Sequence, residues 1–270
     1  MMQSAESLPA ELQPASLTGL LHELCDLAEG ETLPRFRLGI DVENKSARHF
    51  DPVTVADRAA EIAIRRRLAE RFPGHGIVGE EGGNASADAE LVWHIDPVDG
   101  TRAFICGLPS WGTLIGLARN GQVIAGVMAQ PFTGERYLAA GAGAFLARGG
   151  DSRRLSTRHT VDLSQALMMT TSPYLFSENE IERYRALEAT CRMTRYGFDC
   201  YAYAMVASGH VDLVVESGLK SYDVAALIAI VTQAGGVMTD WQGGNPLSGG
   251  AVIAAANPRL HEKALAILRR

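Results

Sequence analysis

The chain has 270 residues, with 25 Lys and Arg against 31 Asp and Glu and a formal net charge of −6. At 47% hydrophobic and 21% charged it is not a disordered sequence, and its length suits one large domain or two modest ones that fold without disulfides or a structural metal. Mild acidity with no basic run speaks against nucleic acid or an anionic membrane as the main partner.

The first fifteen residues, rich in Pro, Ser and Ala, read as a loose arm. With no basic n-region and no apolar h-region, they do not look like a secretory signal. Ser16 caps a predicted helix through Ala28, with Leu20, Leu21, Leu24 and Leu27 at helical spacing. Residues 30–52 are irregular and polar and hold Lys45 and Asp51. A second helix is predicted from Pro52 to Phe72, with Ala56, Ala60, Ile64 and Leu68 on its apolar stripe and Pro73-Gly74 as its stop. The period then changes to two. Short strands are predicted at 76–79 and 91–95, the second delivering Asp96, and Asn120-Gly121 marks a hairpin between 112–119 and 122–129. Strands at 135–139 and 144–148 extend the meander, and Gly149-Gly150-Asp151-Ser152 is the predicted boundary between an N-terminal half (16–150) and a C-terminal half (151–270).

Beyond the boundary strands alternate with helices: strand 166–171, helix 178–190, strand 192–196, helix 199–208, strand 211–216, helix 222–234, strands 236–240 and 251–255, helix 257–269. The expected architecture is an α+β half followed by an α/β half, together a layered αβαβα sandwich. No apolar run approaches the roughly 18 residues that span a bilayer. Cys25, Cys106, Cys191 and Cys200 form no C-x-x-C pair and the histidines show no ligand spacing, which favours a reducing cytoplasm and disfavours zinc.

The most informative stretch is 91–104, LVWHIDPVDGTRAF. A strand end presents Asp96, Pro97 turns the chain, and Asp99 follows three positions on, so two carboxylates can converge with the carbonyl of Val98. Clustered carboxylates repel unless a cation lies between them, and oxygen-only donors select a hard ion, Mg²⁺ or Mn²⁺. Gly100 and Thr101 precede a helical turn whose free N–H groups suit a phosphate oxygen. Taken alone, Asp-Pro-x-Asp-Gly reads more simply as a turn. Three further acidic features shift the balance. Glu80 and Glu81 follow a short apolar strand. Asp223 opens an apolar helix, where a favourable dipole interaction would explain it by itself. Thr54 and Asp57 have the spacing of a capping box.

In order, K-x₅-D-P-V-T-x-x-D (45–57), G-E-E (79–81), D-P-V-D-G-T (96–101) and Y-D-V-A-A (222–226) resemble the inositol monophosphatase family of Mg²⁺-dependent, Li⁺-sensitive phosphatases, from about Leu20 to the end. The resemblance implies the sandwich fold shared with fructose-1,6-bisphosphatases and a metal-assisted hydrolysis without a phosphoenzyme. It implies that Glu80, Asp96 and the Val98 carbonyl hold one metal and that Asp96, Asp99 and Asp223 hold a second. A third would be reached from Glu80 through water. Thr101, supported by Asp57, would activate the attacking water, and Lys45 and Asp51 would belong to a loop that closes near the metals.

Gly197-Phe198-Asp199 and Glu216 match family positions that contact the non-phosphate part of the substrate, although a helix cap and a solvated strand end are the plain readings of the two acids. Arg102 after Thr101, Trp111 in GLPSWGTLIGL (107–117), Tyr222 before Asp223, and FDCYAY (198–203) look like the histidinol-phosphatase branch. Two acids would suit the amine and imidazole of histidinol phosphate. The expectation is a cytoplasmic Mg²⁺-dependent phosphomonoesterase, a homodimer by resemblance, acting on histidinol phosphate. Its rivals are an inositol, fructose or nucleotide bisphosphate phosphatase of the same fold, or a non-catalytic phosphate-binding relative. Arg183, Arg185, Arg192 and Arg195 read as solvated helix and strand faces.

Overall fold

The computed structural model describes residues 9–39, 42–44 and 52–270. Lys45 and Asp51 lie outside them. The arm expected to reach residue 15 ends earlier. A 3-10 turn at Ala10–Leu12 buries Leu12, and helix α1 (Pro14–Thr32) starts with Pro at its first turn. Strands β1 (Val42–Asn44) and β2 (Pro52–Thr54) form a small antiparallel ribbon. Helix α2 (Val55–Arg71) therefore begins three residues after the predicted Pro52, at its capping box: Thr54 N–H donates to Asp57 Oδ2 (3.0 Å) and Ala56 N–H to Thr54 Oγ1 (3.1 Å).

One sheet of eight strands contains β3 (Gly76–Gly79), β4 (Gly83–Ala85), β5 (Leu91–Asp99), β6 (Gly112–Arg119), β7 (Gln122–Gln130), β8 (Glu135–Ala139), β9 (Ala144–Arg148) and β10 (Asp151–Arg154). Its order is β10-β9-β8-β7-β6-β5-β3-β4, antiparallel except for β3 beside β5. Helix α3 (Thr101–Ile105) follows β5. The predicted boundary at 149–152 falls inside the β9–β10 hairpin, whose second strand still belongs to this sheet.

The second sheet holds β11 (Leu167–Thr170), β12 (Met193–Tyr196), β13 (Leu213–Leu219), β14 (Val237–Asp240) and β15 (Gly250–Ala255), in the order β12-β11-β13-β15-β14. Helices α4 (Glu178–Glu188) and α5 (Asp199–Ala207) make the crossovers that keep β11, β12 and β13 parallel. The β14–β15 pair is antiparallel. Helix α6 (Ser221–Gln233) precedes β14 and α7 (Pro258–Leu268) closes the chain.

Three apolar clusters tie five layers together: α1 and α2 on the large sheet, α5 and α6 between the sheets, α4 and α7 outside the small one. The αβαβα sandwich expected from the element order is the observed fold. Helix α6 is buried without a break from Val224 to Val231, as a helix between two sheets must be. It approaches the large sheet at two glycines. A Cβ on Gly116 would stand 2.6 Å from the Ala225 Cβ, and one on Gly126 would stand 2.6 Å from the Ala226 Cα.

Candidate active site

The strand predicted to stop before Pro97 continues to Asp99. Asp96 pairs with Leu114 but Asp99 with Gly112, so β5 carries one extra residue there. In a regular strand, positions three apart point to opposite faces; the bulge returns Asp96 and Asp99 to the same side. Asp223 enters from the first turn of α6, where its Oδ2 accepts the Lys220 N–H at 2.6 Å. One oxygen from each of Asp96, Asp99 and Asp223 lies within 4.8 Å of the others. Glu80 stands outside that trio but lines the same cavity, beside Asp96, with its N–H donating to the Ile95 carbonyl at 3.1 Å.

This arrangement is electrostatically costly. Burial, then the charges of Glu80, Asp99 and Asp223, push the Asp96 carboxyl well above its ordinary range. Burial and the facing carboxylates hold Asp99 and Asp223 up at about 7 each. A site of all-oxygen donors, one buried and two half-buried, close together and repelling one another, fits a hard divalent cation.

Thr101 opens α3. Its Oγ1 donates to the Val98 carbonyl at 3.1 Å and lies 3.4 Å from Asp57 Oδ1. Asp57 is buried beneath it, its carboxyl raised by desolvation against the opposing hydrogen bonds from Thr54. Gly100, just before, has φ of +79°, and a Cβ there would come 3.1 Å from the Asp199 carboxyl carbon, so only glycine fits this turn.

Apart from Arg102 of α3, the rest of the wall comes from the C-terminal sequence. The cavity is about 220 Å³ and is also lined by Arg102, Thr171, Leu175, Asp199, Cys200, Tyr203, Glu216 and Ser217. Asp199 opens α5 at a positive φ of 45°. Burial and then the charge of Asp99 raise its carboxyl to about 7, while Arg102 pulls the other way. Glu216 is buried at the bulge of β13, its Oε1 accepting the N–H and hydroxyl of Thr171 at 2.8 and 2.7 Å. Desolvation outweighs those bonds and pushes it up to about 8.

Of the sequence-predicted residues within the described chain, Glu80, Asp96, Val98, Asp99, Gly100, Thr101, Asp199, Glu216 and Asp223 line this cavity, Asp57 lies beneath Thr101, and Gly197 and Phe198 are not in the lining. Glu81 is not among the lining residues. Nor are the four arginines read as surface; Arg183 packs over Trp241. Three supporting contacts had no local signal: Thr171 on Glu216, the Cys200 N–H on Asp99 Oδ1 (2.9 Å), and Glu61 under the Glu80 turn.

An acid-lined cavity between the sheets of an αβαβα sandwich, with oxygen donors gathered for a hard ion, is the arrangement of a metal-dependent phosphatase. Residues 16–270 match the inositol monophosphatase family, and the chain belongs to it. It is thus a phosphoric monoester hydrolase of a metal-dependent, typically Mg²⁺-dependent, family that acts on small phosphomonoesters. The chain is 40% identical to the chloroplastic bifunctional phosphatase IMPL2 of Arabidopsis thaliana over 95% of its own length and 77% of that protein. It is 35% identical to the histidinol-phosphatase of Streptomyces coelicolor over 93% and 96% of the two chains. The solved inositol monophosphatase of Zymomonas mobilis superposes with a TM-score of 0.85 at 40% identity, covering 97% of this chain and all of that one. No helix among the described residues is long and apolar enough to cross a membrane.

Proposed function

We propose that the chain hydrolyses L-histidinol phosphate to L-histidinol and phosphate. The observation that carries this reading is a pair of acids in the cavity wall that are not part of the metal trio, the half-buried Asp199 and the buried Glu216. Without a ligand, burial holds both carboxyls partly protonated near neutral pH. An ammonium beside them restores the ionised form and makes a charge-assisted hydrogen bond, which a neutral hydroxyl does less strongly. The likeness to a histidinol-phosphatase supports the same substrate.

Glu80, Asp96 and the Val98 carbonyl would hold one Mg²⁺ and Asp96, Asp99 and Asp223 a second, with Glu80 able to reach a third through water and Mn²⁺ a substitute. Bound there, such ions supply the positive charge that acidifies water and neutralises phosphate. The chain's own residues do the rest. Thr101 Oγ1 orients the attacking water and passes its proton toward Asp57 Oδ1, whose raised carboxyl is suited to accept it. The N–H groups of the first turn of α3, which have no intrahelical acceptor, bind phosphate oxygens at Gly100 and Thr101. Arg102, the one cation among the described lining residues, adds charge at the rim. Lys45 would act from the segment outside the described residues. A homodimer completes the reading and is checked by sedimentation.

The likeness to an inositol monophosphatase at 40% identity favours inositol phosphate as the second reading. Phosphate release with Mg²⁺, with and without EDTA, decides between them on histidinol phosphate, inositol-1-phosphate, fructose-1,6-bisphosphate and adenosine-3′,5′-bisphosphate. A preference of about a hundredfold in kcat/KM for histidinol phosphate, roughly 2.7 kcal/mol of transition-state discrimination, is expected. A flat profile or a preference for inositol phosphate would overturn the substrate and leave the metal site standing.

A further inference from the structure

Glu61 is a buried acid that the chemistry above does not use. It lies one helical turn beyond Asp57 on α2, 1% exposed, and one more turn leads to Arg65. Its two carboxylate oxygens accept successive backbone amides of the turn after β3: the Glu81 N–H at 2.7 Å and the Gly82 N–H at 2.9 Å. Arg65 Nε donates to Glu61 Oε1 at 2.5 Å, and the same guanidinium donates to the Gly83 carbonyl. The turn has glycines where the clamp needs room. A Cβ on Gly79 would stand 2.2 Å from Glu61 Oε1, and one on Gly82 would stand 2.8 Å from Arg65 Nε. Glu80 is therefore fixed on both sides, by its own N–H on the Ile95 carbonyl of β5 and by Glu61 gripping the two amides that follow. The helix that presents Asp57 to Thr101 is the helix that grips this turn.

We propose that Glu61, braced by Arg65, is a positioning residue that sets where the Glu80 carboxylate stands relative to Asp96 and Asp57, and through Glu80 sets the affinity of the site for Mg²⁺. This rests on the reading of Glu80 as a metal ligand given above. A helix-borne carboxylate bound to two amides and an arginine has little freedom, so the turn it holds keeps one geometry. Residues that orient a metal ligand in this manner typically change metal affinity by about 10- to 100-fold when altered.

The test is calorimetric titration of the EDTA-stripped protein with Mg²⁺, alongside kcat against Mg²⁺ concentration and the melting temperature of the metal-free chain. The variants are Glu61→Gln, Arg65→Lys, Glu80→Gln and the Glu61→Gln/Glu80→Gln pair. Gln keeps one acceptor and sets an NH₂ group against the other amide. Glu61→Gln is expected to weaken Mg²⁺ binding about tenfold or more, with kcat recovered at saturating Mg²⁺. Arg65→Lys should act in the same direction by about two- to threefold, and Glu61→Gln should add less than about twofold in the Glu80→Gln background. Unchanged Mg²⁺ binding in Glu61→Gln, or an equal loss with Glu80 already replaced, overturns the proposal and leaves Glu61 a support of the fold alone. If Glu80→Gln itself binds Mg²⁺ normally, the ligand assignment fails and takes this proposal with it. Should Glu61→Gln not fold, Arg65→Lys with and without Glu80→Gln decides by the same criterion.

Discussion

Replacing Asp223 by Asn should make the metal-free protein more stable while abolishing its chemistry. Asn retains the oxygen that accepts the Lys220 N–H, so the cap of α6 survives and only the charge is lost. Asp223 is held at about 7, against an ordinary value of 3.8, chiefly by burial and then by Glu80. Between those two pH values the folded chain keeps a proton that the unfolded chain has released. Asp223's own contribution to the stability of the metal-free protein is therefore most favourable below about pH 4, declines as pH rises toward 7, and levels off above it. At ~1.36 kcal/mol per pH unit, the raised carboxyl costs about 4 kcal/mol near pH 8, where it is ionised, and about 2 kcal/mol near pH 5.5, where it holds a proton the unfolded chain has lost. Both figures are ceilings, because the neighbouring carboxylates titrate together with it.

A gain of that size corresponds to a rise in melting temperature on the order of 10 °C for a chain of this length. Scanning calorimetry in EDTA near pH 5.5 and pH 8, repeated in millimolar Mg²⁺, reads it directly. Wild type should gain stability from Mg²⁺, most of all near pH 8, and Asp223→Asn should gain much less. A metal-free variant no more stable than wild type near pH 8 would refute the reasoning, as would equal stabilisation of both proteins by Mg²⁺.

Asp57→Asn should lower kcat by about 10²- to 10⁴-fold with little change in KM, as loss of a proton acceptor does; steady-state kinetics that show only a KM change would remove Asp57 from that role. Glu216→Gln should cut kcat/KM on histidinol phosphate by roughly 10- to 100-fold, the worth of a hydrogen bond to a charged group, while inositol-1-phosphate hydrolysis stays within about threefold. Equal losses on both substrates would dissociate Glu216 from the amine. Gly126→Ala drives a methyl into the backbone of Ala226 and should cost about 1–3 kcal/mol in denaturant melts. Because the shifted helix carries Asp223, its Mg²⁺ requirement should rise as well; a variant with unchanged melting and Mg²⁺ response would show that α6 has slack against the sheet.

Local chemistry made much of this molecule legible. Asn120-Gly121 announced the β6–β7 hairpin, and Thr54 with Asp57 announced the start of α2, each through residues that act within three positions of themselves. The eight-residue apolar run of α6 similarly required burial on all sides. What stayed illegible is long-range. Glu61 meets Glu81 across 20 residues, Glu216 meets Thr171 across 45, and the Cys200 N–H reaches Asp99 across 101. No periodicity marks such pairs, because each partner looks locally like a surface acid, a turn residue or a helix start. At Asp-Pro-x-Asp-Gly the two carboxylates converge as expected, but by a bulge within β5 and not by a turn after it; bulge and turn use the same residues, and only the register against β6 separates them.

Contacts between the two halves of the chain are of the same long-range kind, with a functional consequence. Helix α6 belongs by chain order to the C-terminal half, yet its closest approaches are to Gly116 and Gly126 of the N-terminal sheet. Those glycines let the helix lie nearly backbone to backbone on β6 and β7, which brings Asp223 within reach of Asp96 and Asp99 on the adjacent β5. Asp199 arrives the same way, because α5 is tied to Asp99 through the Cys200 amide. The acidic cavity is therefore made by the packing of the two sheets through their shared helices. Any change that loosens that packing should register first in Mg²⁺ affinity, before the fold itself gives way.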